Sequence, residues 1–503
     1  MSGMARRQQL GREDWASFFI AKLPKAVLKE HVYPYLVRVI NSRKELLCVV
    51  GDFLQNRDKA EHIRYPIGDW DVSRVRDFSF LFSKTSDAAE IFRADVDNCE
   101  GGNDEDVFNG HRFEHSFNED ISRWDVSNGT DFRFMFYKCV DFNRDLSQWN
   151  MRRAVFVGSM FEGCTRFDGN GLQNWEVGNV VEFTKLFRGC SCLEVDLSRW
   201  DVSNGAAFDG MFQDCAPEFP YNGLSRWNVS NGETFAAMFC GIEKFNGDLS
   251  HWNVGNGRTF TRMFAYCEFF DGNLSNWNVG NSTDLSYMFK WCKDFNGYGL
   301  ENWNVGGVSH FEEMFFACEK FNANLSNWDV NTGRNFGGMF WGCGMFEGNL
   351  SRWNVSNGVD FSFMFERCSR FNADLSRWNV VEAVECDGMF EDCSVFDSDL
   401  SGWNVAKVSN MSEMFVGCIA FRGNGLSAWD VSRVGDFRRM FEDCSSLSAD
   451  LSSWNLHQTS RRDGMFAGCN PGLLRIGISR WGLSPNQRRV LFSRGSPTRD
   501  NNN

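Results

Sequence analysis

The sequence predicts an α/β repeat solenoid, a curved stack with a parallel sheet on its concave face and short helices on its convex face. Three observations carry that prediction. Trp recurs from Trp124 through Trp149, Trp175 and Trp200 to Trp481 in steps of 25, 26 or 27 residues. Such a fixed period marks stacked units, not the separate domains that a 503-residue chain would otherwise suggest. Each unit reads L-x-x-W-x-V, a polar turn, then F-x-x-M-F-x-x-C-x-x-F. The hydrophobic period changes within the unit, which is the mark of a strand followed by a helix.

Residues 1–62 lack the repeat and form an expected helical N-terminal cap, with Leu23, Val27, Leu28, Val32, Tyr35 and Leu36 at helical spacing. Residues 63–482 hold about sixteen units. Trp70 lies 54 residues before Trp124, so the first unit carries an acidic insertion near residues 86–115. In each unit the first half has the leucine-rich-repeat strand spacing with Trp in the middle Leu slot. A tight bend follows, with Asn-Gly at Asn128, Asn204, Asn231, Asn256 and Asn357. Phe361, Met364, Phe365 and Cys368 then sit at i, i+3, i+4 and i+7, which predicts a short helix on one face. Extra residues fall just before the strand, as in "FDGNGL", "FNGYGL" and "FRGNGL". Insertion at one corner means one tolerant edge. Residues 483–503 supply a capping helix with Pro485 near its start and a disordered tail.

"FEGNLSRWNVSNGVDFSFMFERC", Phe346 to Cys368, resembles the BspA-like leucine-rich-repeat family, whose units read close to F-N-x-D-L-S-x-W-D-V-S-N-V-T-x-M-x-x-M-F-x-x-C. The resemblance runs from Ile67 to Trp481. It implies a curved solenoid used for protein binding. Bacterial members are mostly adhesive and displayed at the cell surface; similar arrays occur in protists and large DNA viruses. This chain often has Gly after the Asn where the family has Val.

Composition narrows the function. The net charge of −14 disfavours a general nucleic-acid binder, which needs a basic face. No secretory signal and no membrane-spanning apolar run stand out, so an intracellular protein with reduced thiols and no membrane insertion is expected. Thirteen cysteines fall in the M/L-F-x-x-C slot from Cys139 to Cys469. Repeat spacing does not converge them on a metal, and Ile242 and Thr85 take the slot elsewhere, so it reads as a small apolar hole. "HRFEH", His111 to His115, matches the H-x-x-E-H zinc-peptidase pattern but has no third ligand, and a chance pentapeptide is the simpler reading. No nucleophile–base arrangement is visible, and no enzyme, cofactor or metal is expected.

Asn or Asp follows the ladder Trp in fourteen of sixteen units. On a strand with Trp and Val inward, that column faces out, as a stacked amide ladder or as a ligand-facing stripe. The residue before each Trp varies and shares that face. The candidate binding set on the concave face is therefore Arg123, Asp125, Arg199, Asp201, Arg226, Asn228, His251, Asn253, Arg352, Asn354, Arg377 and Asn379. The expected function is a non-enzymatic protein-binding scaffold. "LPKAVLKEHVYPYL" also resembles the opening of an F-box, which implies a ubiquitin-ligase substrate adaptor whose residues 1–62 bind a Skp1-like protein. A surface, adhesion or viral structural role is the other alternative that the family resemblance implies.

Overall fold

The computed structural model describes residues 38–55, 67–83, 117–457, 459–476, 481 and 483–494. Thr85, "HRFEH", the acidic insertion and the F-box-like stretch lie outside the described residues. The chain is a tandem-repeat protein, each unit hydrogen-bonded to the next.

The unit from Leu350 to Phe371 shows how. A turn brings the Trp353 N–H to the Leu350 carbonyl at 3.0 Å. Trp353 to Val355 is extended, with Trp353 and Val355 buried and Arg352 and Asn354 exposed. A second turn closes from the Gly358 N–H to the Val355 carbonyl at 2.9 Å. One residue then forms a parallel bridge to the next unit, Asp360 to Glu385, and equivalent bridges run from Asp77 to Arg461.

Two expectations fail here. The segment Phe361–Cys368 is not a helix. Phe363 and Arg367 adopt left-handed φ of 58° and 61°, which breaks any i→i−4 ladder. Alternate N–H groups turn back within the unit: Met364 to Phe361, Glu366 to Phe363, Cys368 to Phe365. The others cross to the next unit: Phe361 to Glu385, Phe363 to Asp387, Phe365 to Met389, Arg367 to Glu391, at 2.7–3.0 Å. The two left-handed positions recur along the array, which explains the Gly before Cys at Gly163, Gly189, Gly342, Gly417 and Gly468.

The second failure concerns the sheet. Within the array, parallel bridging runs through the residue before the first Phe of each unit, not through L-x-x-W-x-V. At the Trp segment side chains make the joint. Consecutive ladder tryptophans stack with centroids 6.2–6.5 Å apart, wider than the ~4.8 Å of strand pairing. The indole bridges the gap instead, Trp353 Nε1–H donating to the Leu325 carbonyl at 2.9 Å. Beside the bridges, Phe311, Phe336 and Phe361 stack at 5.4 Å. The exposed Trp-flanking residues therefore lie beside a side-chain joint, not on a parallel sheet.

Two more side chains tie each joint. Cys368 Sγ donates to the Phe340 carbonyl at 3.0 Å. Asn357 Nδ2 donates to the Asn331 carbonyl at 2.7 Å. The Trp and Cys side chains thus add a second donor from the next unit to carbonyls that already close a turn, Leu325 with the Trp328 N–H and Phe340 with the Cys343 N–H. Ile242 fills the Cys slot fully buried.

Both ends are closed. Strand β1 (Arg38–Val39) pairs in parallel with β2 (Trp70–Asp71). Helix α1 (Arg43–Gln55) buries Leu46, Leu47 and Val50, and Phe53 meets the Trp70 ring edge-on at 6.2 Å. At the other end β3 (Asp450–Leu451) pairs with β4 (Arg475–Ile476). Helix α2 (Pro485–Leu491) starts with a capping box, Ser484 with Gln487. Its Val490 and Leu491 carbonyls accept the Gly464 and Phe466 N–H groups that would cross to a further unit. No helix among the described residues is long and apolar enough to cross a membrane.

Candidate functional site

The Trp-flanking residues lie outward on one face of the stack, spread along it. Arg123, Arg199, Arg226, His251, Arg352 and Arg377 are all exposed. Arg123 pairs with Asp69 at 2.5 Å. The residue after each Trp is engaged locally. Asp125, Asp201, Asn228, Asn253, Asn354 and Asn379 each accept the N–H two residues on, at 3.0–3.3 Å. These are Asx turns, which fix the bend after the strand. The inter-unit amide ladder expected here is instead in the F-N column. Asn118 Oδ1 accepts the Asn143 N–H at 3.0 Å, Asn143 Oδ1 accepts that of Asp168 at 3.3 Å, and Asn322 Oδ1 accepts that of Glu347 at 3.0 Å.

The Asx turns leave an electrostatic mark. The Ser376 hydrogen bonds hold the Asp374 carboxyl below its ordinary pKa, and Ser432 does the same for Asp430. The cysteine column is chemically quiet. Burial pushes the Cys368 and Cys393 thiols well up, with the cysteine of the preceding unit adding to the effect. A thiol so disfavoured as thiolate is a poor nucleophile or ligand. Among the described residues no group of His, Cys, Asp or Glu is arranged to hold a metal.

The second exposed face is the one that sequence reasoning assigned to helices. It carries the two left-handed columns and the residue between them, and its letters change along the array. In the middle it is aromatic. Phe316 stacks on Trp341 at 4.2 Å, and Trp291 lies 6.1 Å from Phe316. Arg262 sits over Tyr287 at 4.5 Å, Lys290 over Phe316 at 4.6 Å and Arg367 over Trp341 at 4.8 Å. Tyr287, Trp291, Phe316, Trp341 and Phe363 are partly exposed, and Tyr266 and Phe269 nearly half exposed. The missed signal was present in the sequence. Trp291 and Trp341 are off the ladder, 14 residues after Trp277 and 13 after Trp328, at adjacent positions of the unit.

Next along this face, carboxylates crowd. Burial pushes Glu391 up to about 8, helped by Glu366, Glu413 and Asp392 and opposed by Arg439. Burial also raises Asp387, with Glu385 and Asp360 adding and the Ser362 hydrogen bond opposing. Arg439 is already engaged by Glu413 at 2.9 Å and Glu442 at 2.6 Å.

The sequence profile of the family described as "Mycoplasma protein of unknown function, DUF285" matches residues 52–171, 156–219, 182–298, 283–403 and 384–490. Those overlapping matches span most of the chain, and the chain belongs to that family. No curated protein matches it.

Proposed function

We propose that this member of the family is a non-enzymatic, protein-binding repeat scaffold, built as a leucine-rich-repeat-like solenoid of the BspA-like kind. One observation carries the reading. Partly exposed Trp291, Phe316 and Trp341 sit side by side at positions that the fold does not fix, on a frame whose other described tryptophans are buried. Aromatic side chains grouped at a surface are what a protein interface uses as anchors. The partner docks on this turn face rather than along the Trp-flanking column, whose Asn and Asp acceptors are already engaged in Asx turns.

The test is affinity capture by the full-length chain from an extract of its source organism. The same bound protein should be lost from Trp291→Ala/Trp341→Ala and kept by Arg352→Ser/Arg377→Ser. Loss with the arginine pair instead would return the site to the Trp-flanking face. Capture indifferent to both pairs would overturn the scaffold reading. The F-box-type adaptor reading rests on residues 23–36, outside the described residues; pull-down of a Skp1-like protein by the full chain, abolished by deleting residues 1–37, would establish it.

A further inference from the structure

The turn face does more than offer aromatic anchors, because its chemistry changes over a short distance. Trp341 and Glu391 stand in units two steps apart, about 10 Å at parallel-strand spacing. One extended segment of three or four residues reaches across both. On the units from Tyr287 to Asp392 the cations of this face are Lys290, Lys293 and Arg367. Lys290 is an ion-pair partner of Glu313, Lys293 lies over Trp291 and pairs with Glu268 at 2.8 Å, and Arg367 lies over Trp341 and 3.8 Å from Glu366. Asp360, Glu385, Asp387, Glu391 and Asp392 are the carboxylates that remain wholly or partly accessible. Aromatic faces beside accessible carboxylates form a surface suited to a lysine or arginine head with an apolar stem. A nucleic-acid backbone would meet repulsion here.

Resting on the scaffold reading, we infer that the partner presents a basic polypeptide segment to this face. Its apolar side chains lie against Trp291, Phe316 and Trp341, and its Lys or Arg heads lie over Glu385, Glu391 and Asp392. The crowding of Glu391 by Glu366, Glu413 and Asp392 supports this, since an incoming cation relieves it. Glycine makes the junction possible. A Cβ at Gly388 would come within 2.3 Å of the Phe363 ring, so Gly388 lets that ring lie flat between the aromatic row and the acids.

The probe is a short fluorescent peptide alternating arginine with leucine, titrated by anisotropy against the full chain, with a glutamate–leucine peptide beside it. The arginine peptide should bind and the glutamate peptide should not. Glu385→Gln/Asp392→Asn and, separately, Trp341→Ala should each weaken binding about tenfold. Asp125→Asn/Asp201→Asn/Asp329→Asn removes more carboxylate charge from the Trp-flanking face while keeping its Asx acceptors, and should change binding less than about twofold. Equal weakening by that control, or no binding of the arginine peptide at low salt, would overturn the inference. Thermal melts of each variant separate a lost site from a lost fold. If the arginine peptide does not bind while Trp291→Ala/Trp341→Ala still abolishes protein capture, only the basic-partner inference falls.

Discussion

The Trp side and the turn side of each unit solve the same problem in opposite ways. Both must tie each unit to the next. On the Trp side the side chains do it: the indole of Trp353 reaches Leu325 and the amide of Asn357 reaches Asn331. On the turn side the backbone does it, with Phe361, Phe363, Phe365 and Arg367 donating to the next unit. A side whose joints depend on particular side chains must keep those side chains. A side joined by its backbone can vary them, and there the aromatic and acidic stretches occur.

The largest expected contrast comes from two tryptophans. Trp353→Ala removes a buried, stacked ring and its hydrogen bond and should cost about 4 kcal/mol in urea denaturation. Trp341→Ala on the turn side should cost about 1 kcal/mol while abolishing capture. Equal costs would break the comparison. Next, Gly388→Ala should cost about 2 kcal/mol, because φ is +58° and the Phe363 ring occupies the Cβ position.

Glu391 sharpens the contrast through pH. Its folded pKa is raised from 4.5 to about 8, so its protonated form is the one that the fold tolerates. Stability should be full below about pH 4.5 and fall as pH rises through about 8. Glu391→Gln should therefore add about 2 kcal/mol at pH 9 and little at pH 4.5, read by denaturation at both values. Asp374 on the Trp side has the opposite sign: its lowered pKa contributes stability above the ordinary carboxylate range that is lost as pH falls through the folded value. The smallest effect belongs to Ala237, at φ 53°. Ala237→Gly should raise stability by about 0.5 kcal/mol by relieving the left-handed backbone.

Some of this was legible in the letters. Trp spacing gave the repeat, and Ile242 in the Cys slot marked that slot as a buried hole. The Asn after Trp was misread because an outward Asn column fits an inter-unit ladder and an Asx turn equally well; only the Asn354-to-Ser356 contact distinguishes them. The turn face was hidden for a similar reason. Apolar residues at i, i+3, i+4 and i+7 are buried on one side both by a helix and by turns broken at every fourth residue.

The sequence by itself determined the period, the buried letters and the corner where insertions fall, because stacking identical units demands the same side chain at the same place. Tertiary structure alone decided which backbone groups pair between units. The Trp segment is tied to its neighbour by the Trp353 indole and the Asn357 amide. The backbone joint runs through the Phe-Met-Phe turns, and with it goes the face left free to vary.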